Sequence, residues 1–144
     1  MRAFFDKLLT SKQQQKQFPI IYPLIIALVS GAIFSFALAP YYWWWLAILS
    51  PALLYACLKG RTPRQAFAIG LSYGFGLWFV GAFWLFTSIH VYGDTNAVLA
   101  VLMIAVMAII MGLFTAVQTW LYSRFFPETP LTFAPLWVLF EWAK

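Results

Sequence analysis

Few side chains in this sequence could take part in chemistry. His90 is the one histidine, Cys57 the one cysteine, and Asp94 and Glu141 are two of only four carboxylates. A lone imidazole can serve as a general acid or base. Metal coordination needs more ligands, and no second histidine, close carboxylate pair or cysteine cluster supplies them. No metal site and no cofactor is expected. Asp94 follows His90 by four residues, in a Gly-Asp turn where Asp is common for backbone reasons. Cys57 has no adjacent base to make it a nucleophile and no partner for an internal disulfide. No residue is therefore assigned a catalytic role. Glu141 follows the apolar run "APLWVLF". Carboxylates embedded in a membrane are rare and usually functional or paired. Two readings stay open: Glu141 is embedded and functional, or its segment is not embedded.

The residues around His90 are more informative than His90 itself. The stretch "GFGLWFVGAFWLFTSIHVYGD", residues 74–94, mixes glycines and tryptophans into an apolar run and ends in polar residues. Gly70, Gly74, Leu77, Gly81, Trp84 and Ser88 recur at intervals of 4, 3, 4, 3 and 4, which is one face of a helix. Gly70 and Gly74 form a GxxxG pair that lets another helix approach closely. The stripe either packs helices together or makes room for an acyl chain or substrate beside Trp84. Ala108, Gly112 and Ala116 repeat the small-residue theme on the next element, with Thr115, Gln118 and Thr119 adding polarity. Pro40 is followed by Tyr41, Tyr42, Trp43, Trp44 and Trp45. Such aromatics collect where hydrocarbon meets headgroups, because the rings are apolar and their tips are wet.

The elements that must position these residues follow from composition. The 144 residues are 64% hydrophobic and 9% charged. A soluble domain carries about 25% charged residues. Too few charges exist to coat a soluble surface, so the expected fold is all-α, a polytopic transmembrane helical bundle. The basic residues punctuate apolar runs rather than clustering, which excludes a nucleic-acid face. Residues 1–18 read as a basic lead-in and 19–144 as the transmembrane domain. Spans are expected near 19–38, 42–58, 66–88 and 96–121, with 131–144 beginning a fifth. Pro40 breaks the first pair, and Pro127 and Pro130 end the fourth span. The first run is too long for a cleaved signal peptide and reads as an uncleaved anchor.

If the runs alternate, the four Lys/Arg of the N-terminus, the three of residues 59–64 and Arg124 all fall on one side. That side is cytoplasmic, and so is the N-terminus. The fifth run would rise roughly 21 Å, short of a hydrocarbon core of about 30 Å. The natural chain is expected to continue past Lys144.

"SGAIFSFALAPYYWWWLAILS" followed by "GFGLWFVGAFWLFTSIHVYGD" resembles the N-terminal membrane region of bacterial apolipoprotein N-acyltransferases. The resemblance rests on Ala39-Pro40-Tyr41, Gly74-Phe75-Gly76, Gly81, Trp84, Ser88-Ile89 and Tyr92-Gly93. It extends through "APLWVLFEWAK" to Glu141 and covers about residues 24–144. It implies a multi-pass protein of the bacterial inner membrane. It further implies transfer of an acyl chain from a phospholipid donor to the N-terminal cysteine amine of a diacylglyceryl-apolipoprotein. In such proteins a nitrilase-like periplasmic domain with a Glu-Lys-Cys triad does the chemistry, and none of those three maps onto this chain. What the resemblance leaves here is the lipid-facing or substrate-facing part: Pro40, Tyr41, Gly74, Gly76, Gly81, Trp84, Ser88, His90, Tyr92, Gly93 and Glu141. These residues alone are expected to be inactive. Apart from the resemblance, a small non-enzymatic membrane module, such as a transporter subunit or assembly partner, fits the same composition.

Overall fold

A computed structural model describes residues 19–37 and 41–143. The lead-in over 1–18, the Pro40 break and Lys144 lie outside the described residues. Among the described residues the regular secondary structure is all helical: α1 (Ile21–Phe34) with a 3₁₀ turn (Ser35–Ala37), α2 (Leu46–Leu58), α3 (Pro63–Gly81), α4 (Leu85–Tyr92), α5 (Ala97–Phe125) and α6 (Pro130–Ala143). Among the described residues α5 alone is long and apolar enough to cross a bilayer by itself. A second helix qualifies when α3 and α4, bent by 58° at their junction, count as one span. α1 with its 3₁₀ turn and α2 are shorter apolar helices.

The second helix begins at Leu46, later than the sequence pattern places it. Tyr42 takes a left-handed conformation (φ 57°), which an L-residue adopts only singly and which interrupts a helix. α3 begins earlier, at Pro63. Thr62 accepts from Gln65 N while Gln65 reaches back to Thr62 N, a complete capping box with proline in the first turn.

α3 is the central helix and packs on α5 along one face and α1 along another. Both contacts depend on missing side chains. A Cβ on Gly74 would lie 2.6 Å from Gly112 Cα on α5, and one on Gly70 would meet Thr115 O at 2.7 Å. Gly76 on α3 faces the α1 backbone at Leu28 and Gly31 on α1 faces the α3 backbone at Tyr73 in the same way. The small-residue face thus serves close helix packing over Gly70 and Gly74.

Hydroxyls join the helices where apolar packing gives no direction. Ser30 Oγ donates to Ser50 O (2.9 Å), and Ser50 Oγ donates to Ser30 O (2.7 Å). Ser50 has thereby used its only proton, so the Tyr73 hydroxyl 2.7 Å away must donate to it. This buried triad ties α1, α2 and α3 together. Ser72 Oγ donates to Leu24 O (2.9 Å), and Thr119 Oγ1 to Ala66 O (2.8 Å). Side-chain donors reaching a neighbour's carbonyls suit a bundle whose exterior is apolar. That exterior is continuous: Ile25, Ile26 and Val29 on α1 are exposed, and so are Leu102, Val106, Ile110 and Leu113 on α5.

One end of the bundle carries the basic connections. Ser123 Oγ donates to Arg61 O (3.0 Å), Gly60 N donates to Glu128 Oε2 (3.1 Å), and Tyr55 OH donates to Glu128 O (3.2 Å). The loops 59–62 and 123–129 are thus fastened to each other. The opposite end is aromatic and holds the candidate site.

Candidate functional site

The site is organised by the break between α3 and α4. α3 runs regularly to Gly81 and closes with Ala82 N on Trp78 O (2.9 Å). Ser35, from the 3₁₀ turn after α1, reaches across at this point and donates through Oγ to Leu77 O (3.0 Å). The same hydroxyl lies 3.2 Å from where a Gly81 Cβ would be. A glycine and an intruding hydroxyl in one turn of the carbonyl ladder account for the kink without proline.

Past the break the chain re-forms as α4, whose residues Ser88–Tyr92 are π-helical, with Gly93 N on Ser88 O (3.1 Å). Single π turns recur at functional positions in helices. Here the widened turn is followed by Asp94 in the left-handed region (φ 47°) and by Asn96, whose Oδ1 caps α5 at Val98 N (2.9 Å).

His90 is fixed at this turn by Thr95, not by Asp94. Its Nδ1 lies 2.6 Å from Thr95 O. A carbonyl oxygen only accepts, so Nδ1 is the donor and a neutral ring carries its free lone pair on Nε2. The ring also meets Phe86 at 5.2 Å.

The sequence-selected residues separate into groups. Gly74 and Gly76 are buried in helix contacts. Gly81, Trp84, Ser88, His90, Tyr92 and Gly93 gather at the aromatic end, with Trp84 70% and Tyr92 85% exposed. The single face expected from Gly70 to Ser88 does not persist, because the kink turns Trp84 and Ser88 out of line with Gly70 and Gly74. Tyr41 stands at the same end, its ring 5.2 Å from Phe36 beside the Ser35 contact. Pro40 lies outside the described residues. Glu141 is set apart, exposed on α6 one turn beyond Trp137, whose ring meets Tyr73 edge-on at 5.6 Å. Cys57 lies on α2 next to the basic connection, away from this end.

Sequence reasoning missed a ladder of rings. Phe75–Phe79 (5.2 Å), Phe79–Phe83 (6.1 Å), Phe83–Phe86 (5.6 Å) and Phe86–His90 (5.2 Å) run from inside the bundle across the break to the imidazole. The signal was available, since the Phe spacings of 4, 4 and 3 match a helical face. The Ser30–Ser50–Tyr73 triad had no such signal, because isolated serines in apolar runs carry no period.

Chemically, the aromatic end offers an apolar, ring-lined track with a hydroxyl, an imidazole and a phenol at its outer limit. It can hold and orient an apolar chain with a polar head. Among the described residues no three His, Cys, Asp or Glu side chains are placed to share a metal ion.

Comparison with known proteins gives the family. Residues 30–144 match the family described as the apolipoprotein N-acyltransferase N-terminal domain. The chain is 39% identical over 120 residues to an apolipoprotein N-acyltransferase of Pseudomonas syringae, covering 79% of this chain and 24% of that protein. It is 40% identical over 123 residues to that of Azotobacter vinelandii (81% and 24%) and 36% identical over 126 residues to that of Coxiella burnetii (83% and 26%). The chain spans about a quarter of the length of these curated relatives. A match over most of its length to that N-terminal domain makes this chain a member of the apolipoprotein N-acyltransferase family.

Proposed function

We propose that these residues form the membrane portion of an apolipoprotein N-acyltransferase. The whole protein moves an acyl chain from a phospholipid to the N-terminal cysteine amine of a diacylglyceryl-apolipoprotein, in the bacterial inner membrane. α1 with its 3₁₀ turn, α2, the bent α3–α4 pair and α5 are its first four spans, and α6 begins the fifth. The basic end, with the lead-in over 1–18, faces the cytoplasm, and the aromatic end faces outward. The fastening of the Arg61 loop to the segment around Arg124 supports this, because it gathers cationic connections at one end.

The observation that carries the functional reading is the break at Gly81–Trp84. There a helix with an apolar exterior opens into exposed rings and a polar rim. A phospholipid has the same division, with an apolar tail and a polar head. Gly81 and Trp84 border the tail, and Ser88, His90, Tyr92 and Gly93 face the headgroup depth. Tyr41, beside Pro40, flanks them. Glu141 faces the rest of the protein from α6. The chain's own groups bind and orient here, and the acyl-transfer chemistry belongs to other parts of the protein.

The test is acyl transfer by the complete protein containing these residues, purified and supplied with labelled phospholipid and a diacylglyceryl peptide bearing a free N-terminal cysteine amine. Transfer of label to the peptide is expected, and residues 1–144 alone are expected to transfer none. No transfer by the complete protein with any phospholipid overturns the assignment. Transfer by residues 1–144 alone overturns the division of labour.

A further inference from the structure

The loop after the 3₁₀ turn is more ordered than a row of interfacial aromatics needs to be. Its rings fall into two sets. Phe36, Tyr41, Trp43 and Trp45 pack into one slab in which a single pair is stacked: Phe36–Tyr41 meet edge-on at 5.2 Å, Tyr41–Trp43 are tilted by 57° at 6.2 Å, and Trp43–Trp45 stack at 6.3 Å with planes 18° apart. Tyr42 and Trp44 leave the slab and are the most exposed of the five, at 72% and 71%. The two sets alternate along the chain, odd positions against even, and the left-handed Tyr42 turns the loop within this run. Trp43 N donates to Phe36 O (3.3 Å) and closes the loop onto the 3₁₀ turn.

The 3₁₀ turn also carries Ser35, whose hydroxyl enters the last turn of α3 at Leu77 O. The slab and the break are therefore mechanically joined through two residues, Ser35 and Phe36. No Asp, Glu, Lys or Arg occurs from residue 19 to residue 58, so nothing in this hairpin seeks bulk water by charge. The exposed faces beside the loop, Ile48 and Leu49 on α2 and Val29 on α1, are apolar. Rings with one wet atom and an apolar body settle at the boundary of headgroups and acyl chains.

We infer that residues 41–45 are a depth gauge: a rigid aromatic plate seated in the headgroup–acyl boundary of a phospholipid leaflet. Through Ser35 and Phe36 it holds the α3–α4 break at that depth. The inference rests on the membrane reading above and adds the plate's role in positioning the break. Tyr42 and Trp44 insert among the lipids, and the stacked rings brace them from behind. Loss of the rings lets the break float relative to the leaflet.

The experiment uses the complete protein in phosphatidylcholine vesicles carrying bromines either high or deep on the acyl chain. The fluorescence of Trp43→Phe/Trp44→Phe/Trp45→Phe is subtracted from that of the unmodified protein, leaving the loop's own signal. Shallow bromines should quench that signal about twofold more than deep ones. Equal quenching by both, or none, overturns the plate. Trp78, Trp84, Trp120, Trp137 and Trp142 remain in the variant and report separately. If they are quenched by lipid and the loop is not, the membrane reading stands and this inference fails. If they are not quenched either, both fail.

A second measurement tests the coupling. A depth-sensitive nitroxide is attached at Ser88→Cys in the complete protein with Cys57 and every other cysteine replaced by serine, with and without Trp43→Leu/Trp44→Leu/Trp45→Leu, which keeps the loop apolar. The label should shift in depth or spread into several depths when the rings are absent. An unchanged, single depth overturns the positioning role, even if the loop itself lies at the boundary.

Discussion

The two halves of the bent α3–α4 pair use the same residue types for opposite ends. Near the basic end, Gly70 and Gly74 are covered, with a neighbouring backbone closer than any side chain would allow. Near the aromatic end, Gly81 and Gly93 are exposed among exposed rings. Glycine in the first case removes a side chain so that α5 can touch. In the second, Gly81 loosens the helix so that the pair can bend, and Gly93 ends the π turn. The spacing of small residues announces the first use and does not distinguish it from the second. The difference comes from across the interface: Gly74 meets Gly112, whereas Gly81 meets only the hydroxyl of Ser35.

Substitutions should separate the halves. Gly74→Leu drives a branched side chain into the Gly112 backbone and should cost about 3 kcal/mol or more. Gly81→Leu meets only the end of a serine side chain and should cost under about 1 kcal/mol. Unfolding of the complete protein in mixed micelles measures both, and equal losses would erase the distinction. Tyr73→Phe leaves the Ser30–Ser50 exchange in place but removes the bond to α3. A loss of about 1–2 kcal/mol is expected, in the range for hydrogen bonds between membrane helices. Thr62→Ala removes the capping box at the start of α3 and should cost about 1 kcal/mol. The smallest change in stability, within about 0.5 kcal/mol, is expected for Trp84→Leu, whose ring is mostly exposed. Its effect should appear instead as reduced acyl transfer at limiting phospholipid. Full activity in Trp84→Leu would remove Trp84 from the candidate site.

The helical class was legible from composition, and the α3–α5 contact from the glycine spacing, because both follow from periodicity in one segment. The break at Gly81 was not. Its cause lies 42 positions earlier in the chain, in the Ser35 hydroxyl that bonds Leu77 O. The late start of α2 was hidden for a similar reason, since nothing about Tyr42 as a residue type announces a left-handed backbone. The residues near His90 stood out by pattern, but the hydrogen bond was not legible, because it runs to a backbone carbonyl, that of Thr95, which no residue type announces.

The clasp at the basic end has a temporal consequence. Glu128 bonds Gly60 and takes the Tyr55 hydroxyl on its carbonyl, so a late residue fastens an early turn. During synthesis the hairpin of α2 and α3 is complete long before Glu128 leaves the ribosome. Until then that turn lacks both bonds, and the nascent polypeptide cannot make them before α5 has been synthesised.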